Sequence, residues 1–308
     1  MRTPETWSVR DAPEEITVYE VGARDGLQNE QTVVPVEVKA EFIERLVDAG
    51  ARAVELTSFV RGDLVPRMGD AEQLMARLSL PADVRSVALT PNLRGVQRAL
   101  ECGIREVAIF ASATETFSQR NLNCSIDESL ARFEPVVALA RANGVAVRAY
   151  VSMCWGDPWE GVVPLEAVVR VGCRMMDLGA SELSLGDTIG VATPGHVVAL
   201  LDAFGAAGVA RDRLAVHFHD TYGQALANAA AAIGAGVRIV DTSAGGLGGC
   251  PFAKSASGNL ATEDLLWHLH GQGVRTGIDL AALVETSEWL AAHLGRPSPS
   301  RVVQALTR

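Results

Sequence analysis

Short runs of β-branched and other apolar residues recur along the chain, and a helix-like stretch follows nearly every one of them. The strand-like runs lie at residues 16–22, 52–59, 85–91, 106–113, 145–153, 182–188, 214–221 and 238–246. Helical periodicity is clearest at residues 35–50, 92–103, 125–144 and 165–179, and several of these stretches end at glycine, a common helix terminator. The pattern therefore predicts eight consecutive strand–helix units.

Eight such units in one chain predict an α/β protein with a closed parallel (β/α)8 barrel, the TIM-barrel fold, and extra C-terminal helices. An open doubly wound sheet is the alternative. Such sheets usually carry a Gly-x-Gly-x-x-Gly turn after the first strand, and this sequence has none there. Because no linker or low-complexity stretch divides the chain, we predict one catalytic domain over residues 1–308. Within it, residues 1–14 are expected to form an N-terminal extension and about 277–308 a C-terminal helical extension.

Composition and charge narrow the classes of partner. The chain has 308 residues, 48% of them hydrophobic, and a formal net charge of −10. Without clustered Lys and Arg it is not expected to bind nucleic acid, although a local positive site can still bind a small anion. Its apolar runs are too short to span a bilayer, and its first residues resemble no targeting peptide. The five cysteines are widely spaced and odd in number, which favours a reducing compartment. We therefore expect a cytoplasmic protein without membrane association.

The stretch VHFHDTYGQ, residues 216–224, places two histidines on one predicted strand. Side chains alternate across a strand, so His217 and His219 face the same side and can reach one cation. Two histidines bonded to the backbone are the alternative, but a pair at the functional end of a barrel strand favours a metal site. Asp25, after the first strand, is the best carboxylate candidate, although Arg-Asp-Gly also makes a good turn. Mixed nitrogen and oxygen ligands suit Mg²⁺, Mn²⁺ or another divalent ion.

Polar residues stand at the ends of nearly all the other predicted strands, where barrel enzymes carry their chemistry. These residues are Arg24, Glu55, Ser58, Thr90, Asn92, Ser112, Glu115, Ser152, Asp187, Thr188, Asp241 and Ser243. Loops are polar in any case, so part of this pattern reflects exposure to solvent. Arg24 on its own is either a fixed cation for a carboxylate or oxyanion, or one half of a surface salt bridge, and its position alone favours the salt bridge.

The glycine-rich stretch AGGLGGCPFAKSASGNLATED, residues 244–264, contains a single cysteine, Cys250. Glycines let the backbone approach a ligand closely and let a loop move. A cysteine there can act as an acid or a nucleophile, and a small apolar filler is the alternative. Asn259 either caps the helix that follows or offers its amide oxygen to a metal.

Several of these segments together resemble the 3-hydroxy-3-methylglutaryl-CoA lyase family. The segments are EVGARDGLQNE, ELTSFV, VPRMGD, LTPNLRG, NLNCSIDES, SLGDTIGVATPG, HFHDTYGQALAN and GGLGGCPFA with ASGNLATED. The resemblance extends from about Val18 to about residue 300. The Arg-Asp-Gly and His-x-His-Asp pieces are shared by a wider group of metal-dependent TIM-barrel lyases and Claisen-type synthases, whereas the cysteine loop and GLQNE point to the lyase branch.

The resemblance implies roles for particular residues. It implies that Asp25, His217, His219 and Asn259 bind a divalent metal, Mg²⁺ or Mn²⁺. It implies that Arg24 steadies an enolate, that Cys250 is the catalytic cysteine, and that the acidic residues Glu55 and Asp187 are needed for activity. The predicted catalytic residues are thus Arg24, Cys250, His217, Asp187 and Glu55, and the predicted substrate-binding residues are Arg24, Gln28, Ser58, Asn92 and Ser152.

The implied reaction is a retro-Claisen cleavage of an acyl-CoA, giving acetyl-CoA and acetoacetate, with His217 and Asp187 both open as the base. A homodimer or higher homo-oligomer is implied by resemblance alone. The alternatives are a lyase for a different 3-substituent and a synthase or aldolase on the same scaffold, against which the Cys250 loop argues. A non-catalytic metal- or CoA-binding barrel predicts the loss of a matched polar residue, and Arg24, Asp25, Cys250 and Asn259 are all present.

The chain also departs from the family pattern at a few positions. Ala23 stands where the family commonly has Pro, Phe252 where it has Tyr, and Ser255 where it has Gly. The largest departure is MCWGDPWEG, residues 153–161, where relatives more often read C-x-x-G-C-P-Y-E-G. This segment is expected at the barrel mouth after the fifth strand, so the departure concerns the substrate's 3-substituent rather than the catalytic set.

Overall fold

A computed structural model describes residues 3–249 and 258–307 of the chain. Its centre is a closed barrel of parallel strands, in which each strand pairs with the next and the last pairs with the first. The strands are β1 Thr17–Glu20, β2 Ala53–Ser58, β3 Arg85–Leu89, β4 Glu106–Ser112, β5 Ala146–Ser152, β6 Glu182–Asp187, β7 Leu214–Phe218 and β8 Ile239–Thr242. The prediction of a (β/α)8 barrel is confirmed, and each strand lies within its predicted run.

Helices surround the barrel and continue beyond it at the C-terminal end. Those of the described ranges are α1 Val36–Asp48, α2 Ala71–Arg77, α3 Leu93–Glu101, α4 Glu115–Leu122, α5 Ile126–Ala142, α6 Leu165–Leu178, α7 Pro194–Ala206, α8 Ala225–Gly234, α9 Thr262–Gly271, α10 Leu280–Leu294 and α11 Arg301–Leu306. A small antiparallel hairpin, Gly156–Asp157 with Gly161–Val162, follows β5. In the described ranges, no helix combines the length and apolarity that crossing a membrane requires.

Two apolar clusters hold these layers together. The larger cluster lies between the strands and the helices, and Val216 and Phe218 of β7 belong to it with no exposed surface. The smaller cluster fills the barrel interior and includes Tyr19, Val87 and Tyr150. Because residues alternate along β7, the burial of Val216 and Phe218 against the helices turns the histidines between and after them toward the barrel axis.

A buried cation occupies the middle of the barrel. The Arg148 guanidinium donates to both carboxylate oxygens of Asp241, at 3.1 and 2.5 Å, and also bonds to Glu182. Its carbon lies 3.8 Å from the ring centre of Tyr19 and 4.6 Å from that of Tyr150. Two carboxylates and two aromatic faces therefore compensate the charge of a side chain that has no exposed surface.

Candidate active site

The Arg-Asp-Gly motif forms a single π-helical turn directly after β1, Gly22–Gly26. The backbone N–H groups of Asp25 and Gly26 both donate to the carbonyl of Val21, at 2.8 and 3.2 Å. A Cβ at Gly22 would stand 2.6 Å from a carboxylate oxygen of Glu20, and one at Gly26 would stand 2.8 Å from a side-chain carbon. Glycine at both ends thus permits the tight turn that presents an arginine and an aspartate to the barrel mouth.

Asp25, His217 and His219 come together at this mouth. One potential ligand atom of each lies within 4.8 Å of the others, and the two imidazole ring centres are 5.4 Å apart. Burial alone would raise the pKa of Asp25, but the charge of Arg24 and the two histidines outweigh it and lower the pKa to about 2. The carboxylate is therefore ionised and available as a ligand across the physiological pH range.

Asn259 joins the same cluster from the far side of the glycine-rich loop. Its Nδ2 donates to Asp25 Oδ2 at 2.8 Å and to the carbonyl of Leu247 at 3.0 Å. Its Oδ1 is buried, and no described residue donates to it. Helix α9 begins at Thr262 with Ala261 at its N-cap, so Asn259 does not cap that helix. A cation beside Asp25 would satisfy this amide oxygen, whose burial without a partner is costly.

These donors fit a divalent cation. Two imidazoles, one ionised carboxylate and one amide oxygen form a mixed nitrogen and oxygen set of the kind that Mn²⁺ and related ions accept. His217 also has Nδ1 turned inward, 3.3 Å from Asp241 Oδ2, although the two atoms are not aligned as a hydrogen bond. A carboxylate behind a histidine orients the ring and leaves its other nitrogen facing the site.

Arg24 lies beside this cluster and is buried, so it is not a surface salt bridge. It is 7% exposed, its Nε donates to Glu55 Oε2 at 2.8 Å, and its Nη1 donates to Asp25 Oδ1 at 2.8 Å. Tyr150 also donates to Glu55 Oε2, at 3.2 Å. Burial opposes the charge of Arg24, but the two carboxylates outweigh burial and raise its pKa above the ordinary value. Glu55 thus fixes a permanent cation next to the candidate metal-binding cluster of Asp25, His217 and His219.

A cavity of about 180 Å³ opens onto the cluster. It brings together six of the predicted site residues, which are Arg24, Asp25, Gln28, Ser152, His217 and His219. Its other lining residues include Asn29, Leu89, Phe110, Phe117, Asn121, Tyr150, Val151, Gly186, Thr188 and Gly249. One side of the cavity therefore carries the charged side chains and the candidate metal ligands, and the other side is largely apolar.

Asp187 is engaged with its own loop instead of lining this cavity. Its two carboxylate oxygens accept hydrogen bonds from the backbone N–H groups of Val191 and Ala192, each at 2.9 Å. Burial raises its pKa to about 6, and those N–H groups oppose the rise. Its neighbours Gly186 and Thr188 line the cavity. The contacts of Asp187 show it shaping the loop after β6, and its predicted catalytic role stays a prediction.

Three further predicted residues lie apart from the cavity or outside the description. Asn92 is exposed and caps α3, since its Oδ1 accepts from the backbone N–H of Gly95 at 2.9 Å. Ser58 is buried at the end of β2 and does not line the cavity. Cys250 lies outside the described residues, as do Phe252 and Ser255. The substrate-binding roles of Asn92 and Ser58 remain predictions, as does the catalytic role of Cys250.

The sequence reasoning missed four residues that bear on the site. Tyr150 supports Glu55 from β5, Asp241 stands behind His217, and Phe117 and Asn121 reach the cavity from α4. The strand-end pattern includes Asp241 but assigns it no role. Alternation along β5 puts Tyr150 on the same face as Ser152, and this pattern is sufficient to predict that Tyr150 faces the barrel interior. The short helix α4 carried no comparable signal.

The fold and the site define a class of protein first. A (β/α)8 barrel that gathers charged and imidazole side chains at the C-terminal ends of its strands has the architecture of the barrel enzymes. The chain belongs to the HMGL-like family, because that family's model matches residues 15–290. The resemblance drawn from the motifs is thereby confirmed.

Individual relatives agree with the family assignment. The mitochondrial hydroxymethylglutaryl-CoA lyase of Arabidopsis thaliana is 50% identical over 296 residues, which are 96% of this chain and 63% of that protein. The cytoplasmic 3-hydroxy-3-methylglutaryl-CoA lyase of Danio rerio is 49% identical over 95% of this chain and 87% of its own length. This chain thus spans less than two thirds of the plant relative but most of the fish one.

Solved structures agree as well. The crystal structure of hydroxymethylglutaryl-CoA lyase from Pseudomonas aeruginosa has a TM-score of 0.93 and 46% identity, covering 96% of this chain and 98% of that one. An HMG-CoA lyase from Acinetobacter baumannii, in complex with coenzyme A and 3-methylmalate, has a TM-score of 0.91 and 35% identity, covering 95% of each chain. The likeness is therefore one of the whole barrel.

Proposed function

We propose that this protein is a carbon–carbon lyase that cleaves 3-hydroxy-3-methylglutaryl-CoA to acetyl-CoA and acetoacetate. The observation that carries the proposal is the cluster of Asp25, His217 and His219 beside the buried Arg24, open to one cavity. The relatives that match most of this chain in sequence or in structure are lyases of this type by name. The coenzyme A in the Acinetobacter baumannii complex supports an acyl-CoA as the substrate class.

Asp25, His217, His219 and Asn259 are the residues that would hold a divalent cation, Mg²⁺ or Mn²⁺. The unpartnered amide oxygen of Asn259 and the ionised carboxylate of Asp25 support this assignment. When bound, such a cation would acidify a coordinated tertiary hydroxyl of the substrate. The remaining steps fall to the side chains of the chain itself.

Cleavage begins with loss of the hydroxyl proton to a base. The C–O bond becomes a carbonyl, the C2–C3 bond breaks, and its electron pair passes to the thioester as an enolate. Arg24 is fixed by Glu55 and Asp25, so its guanidinium can stabilise the enolate oxygen without reorganising. Protonation of the enolate carbon then gives acetyl-CoA, a step for which Cys250 is the proposed acid.

The choice of base depends on which group faces the substrate. Of the two candidates, His217 lines the cavity, whereas Asp187 accepts backbone N–H groups of its own loop. A general base must lie within hydrogen-bond reach of the proton that it removes. The outward nitrogen of His217 is also assigned to the cation, so both residues stay open as the base.

The test is release of acetyl-CoA from 3-hydroxy-3-methylglutaryl-CoA, measured by a coupled assay with Mg²⁺ or Mn²⁺ and then with chelator. We expect metal-dependent cleavage by the wild type, and its loss in Arg24→Met and His217→Ala. His268→Ala, a substitution of a half-buried histidine on α9 outside the cavity, serves as the matched control and should retain activity. No cleavage by folded, metal-loaded wild type would reject this substrate, and acyl-CoAs with other 3-substituents would then be tested.

We also propose that the protein is a cytoplasmic homodimer or higher homo-oligomer. The sequence supports a cytoplasmic location through its cysteine spacing, and the relatives named above include one cytoplasmic and one mitochondrial protein. Light scattering coupled to size-exclusion chromatography tests the assembly. A mass equal to that of one 32.6 kDa chain at micromolar concentration would reject it.

A further inference from the structure

The hairpin after β5 is held in place by one buried carboxylate. Asp157 is 3% exposed, and its Oδ1 accepts from the backbone N–H groups of Trp159 and Glu160 at 2.7 and 2.9 Å. Its Oδ2 accepts from the hydroxyl of Thr114 at 2.7 Å. Asp157 thus closes its own hairpin and ties that hairpin to the segment between β4 and α4. This hairpin belongs to MCWGDPWEG, the segment in which the chain departs most from the family pattern.

The hairpin also supplies the N-terminal cap of α4. Thr114 is the N-cap residue of this helix, but its side chain caps none of the helix N–H groups and donates to Asp157 instead. Glu160 takes over that task, since its Oε1 accepts from the backbone N–H of Thr116 at 2.6 Å. A carboxylate at a helix N-terminus is favoured by both the open N–H groups and the helix dipole.

A third contact joins the two elements further along the helix. The Arg120 guanidinium carbon of α4 lies 4.4 Å from the centre of the Trp159 ring, within the range of a cation–π contact. The helix is only eight residues long, from Glu115 to Leu122, which is too short to be stable without outside support. Its position is therefore set by the hairpin at its first turn and again at its second.

Helix α4 matters because it forms part of the cavity wall. Phe117 and Asn121, one turn apart, both line the cavity, and Phe117 is 5% exposed. Leu89 of β3, Phe110 of β4 and Val151 of β5 continue the same wall. Strands β3 to β5 lie across the closed barrel from β1 and β7, which carry the metal-ligand cluster. The apolar wall therefore faces whatever is bound at that cluster.

We propose that the hairpin 156–162 determines substrate specificity by positioning α4. Asp157 and Glu160 hold the first turn of α4, so that Phe117 bounds the space for an apolar substituent at C3 of the acyl-CoA. This inference rests on the proposed function for its substrate class. Asp157 and Glu160 are positioning residues, because they contact the helix and the helix contacts the cavity.

The test compares the binding of two acyl-CoAs that lack the 3-hydroxyl and so cannot be cleaved, 3-methylglutaryl-CoA and glutaryl-CoA. Titration calorimetry gives the ratio of their dissociation constants, which isolates the contribution of the methyl group. A methyl group buried against Phe117 should favour the methylated ligand about fourfold in the wild type. Glu160→Ala should bring this ratio close to one, because α4 loses its cap and the wall relaxes.

Three further variants separate specificity from stability. Glu160→Gln keeps an oxygen acceptor for Thr116 and should restore the preference. Asp157→Asn should weaken it, provided that the buried substitution folds. Ser125→Ala is the matched control, because Ser125 caps α5 through the backbone N–H of Glu128 and lies away from the cavity. It removes a helix cap of the same kind and should leave the ratio unchanged.

Three results would overturn the inference. They are a wild-type ratio near one, a ratio that Glu160→Ala leaves unchanged, and a ratio that Ser125→Ala reduces as much as Glu160→Ala does. Failure of the proposed function is distinguishable, because it would appear as absence of cleavage in the turnover assay, whereas the binding ratio needs no turnover. With the cleavable substrate, Glu160→Ala should raise KM severalfold and change kcat little.

Discussion

Replacing Glu263 by glutamine should flatten the dependence of stability on pH. Glu263 is fully buried in the first turn of α9, and its two oxygens accept from the backbone N–H of Gly245 at 3.0 and 2.9 Å. The hydroxyl of Ser287 also donates to it. Burial raises the pKa of Glu263 to about 8, and the nearby carboxylate of Glu20 adds to the rise. The carboxyl is therefore protonated in the folded protein at neutral pH.

The direction in which the stability changes with pH depends on whether the folded or the unfolded chain holds the extra proton. Between the ordinary pKa of 4.5 and about 8, the unfolded chain has lost this proton and the folded chain has kept it. The free energy of unfolding therefore falls as pH rises through this window and levels off above it. At about 1.4 kcal/mol for each pH unit, the loss between pH 5.5 and pH 8 amounts to about 3 kcal/mol. Glutamine is neutral throughout and removes this contribution.

Urea unfolding at pH 5.5 and pH 8.5, without added divalent cation, measures the effect. The wild type should lose about 3 kcal/mol more than Glu263→Gln between the two values. Glu285→Gln, an exposed substitution on the neighbouring helix α10, should behave as the wild type does. Equal losses in the wild type and Glu263→Gln would refute the argument. A smaller loss of unfolding free energy in the wild type than in Glu263→Gln would show that Glu263 releases its proton on folding.

Three other substitutions test separate parts of the structure. Gly190→Ala should lower the free energy of unfolding by at least about 1 kcal/mol, because Gly190 has φ +70° and an added Cβ would lie 2.7 Å from a side-chain oxygen. Gly195→Ala is the control, because an added Cβ there would meet open space. Asp241→Asn should weaken Mn²⁺ binding about 10- to 100-fold by loosening His217, and an unchanged dissociation constant measured by electron paramagnetic resonance would contradict this. Arg148→Met should lower the free energy of unfolding in urea by about 3–5 kcal/mol, because it leaves the buried carboxylate of Asp241 without its cation. A loss below about 1 kcal/mol would mean that the carboxylate is protonated or hydrated in the variant.

The barrel itself was predictable because its pattern is local and repeats. Each apolar run followed by a helical stretch indicates one unit, and the repetition of units determines the closed sheet. The pairing of His217 and His219 was equally accessible, since alternation along a strand fixes their shared direction before any tertiary contact is known. Asp25 follows from barrel closure, which brings the end of β1 close to the end of β7.

The roles of residues whose side-chain direction depends on the path of a loop were harder to predict. Asp187 and Asn92 look alike in sequence, each a polar residue that ends a strand. In the structure both bond to backbone N–H groups a few residues later in the chain. A strand-end pattern does not distinguish a polar side chain that faces the cavity from one that accepts hydrogen bonds from its own loop. Phe117 escaped prediction for a different reason, because the cap that fixes its helix comes from Glu160, far along the chain.

The hydrogen bond from Asn259 to Asp25 connects residues 234 positions apart. A chain emerging from the ribosome therefore contains Asp25 long before it contains His217, His219 and Asn259. Until β8 has closed against β1, a partly synthesised barrel cannot assemble the proposed four-residue ligand set, however much helix and sheet it already contains. The proposed cation affinity therefore requires a closed barrel, and a fragment that ends between β6 and β7 should lack it.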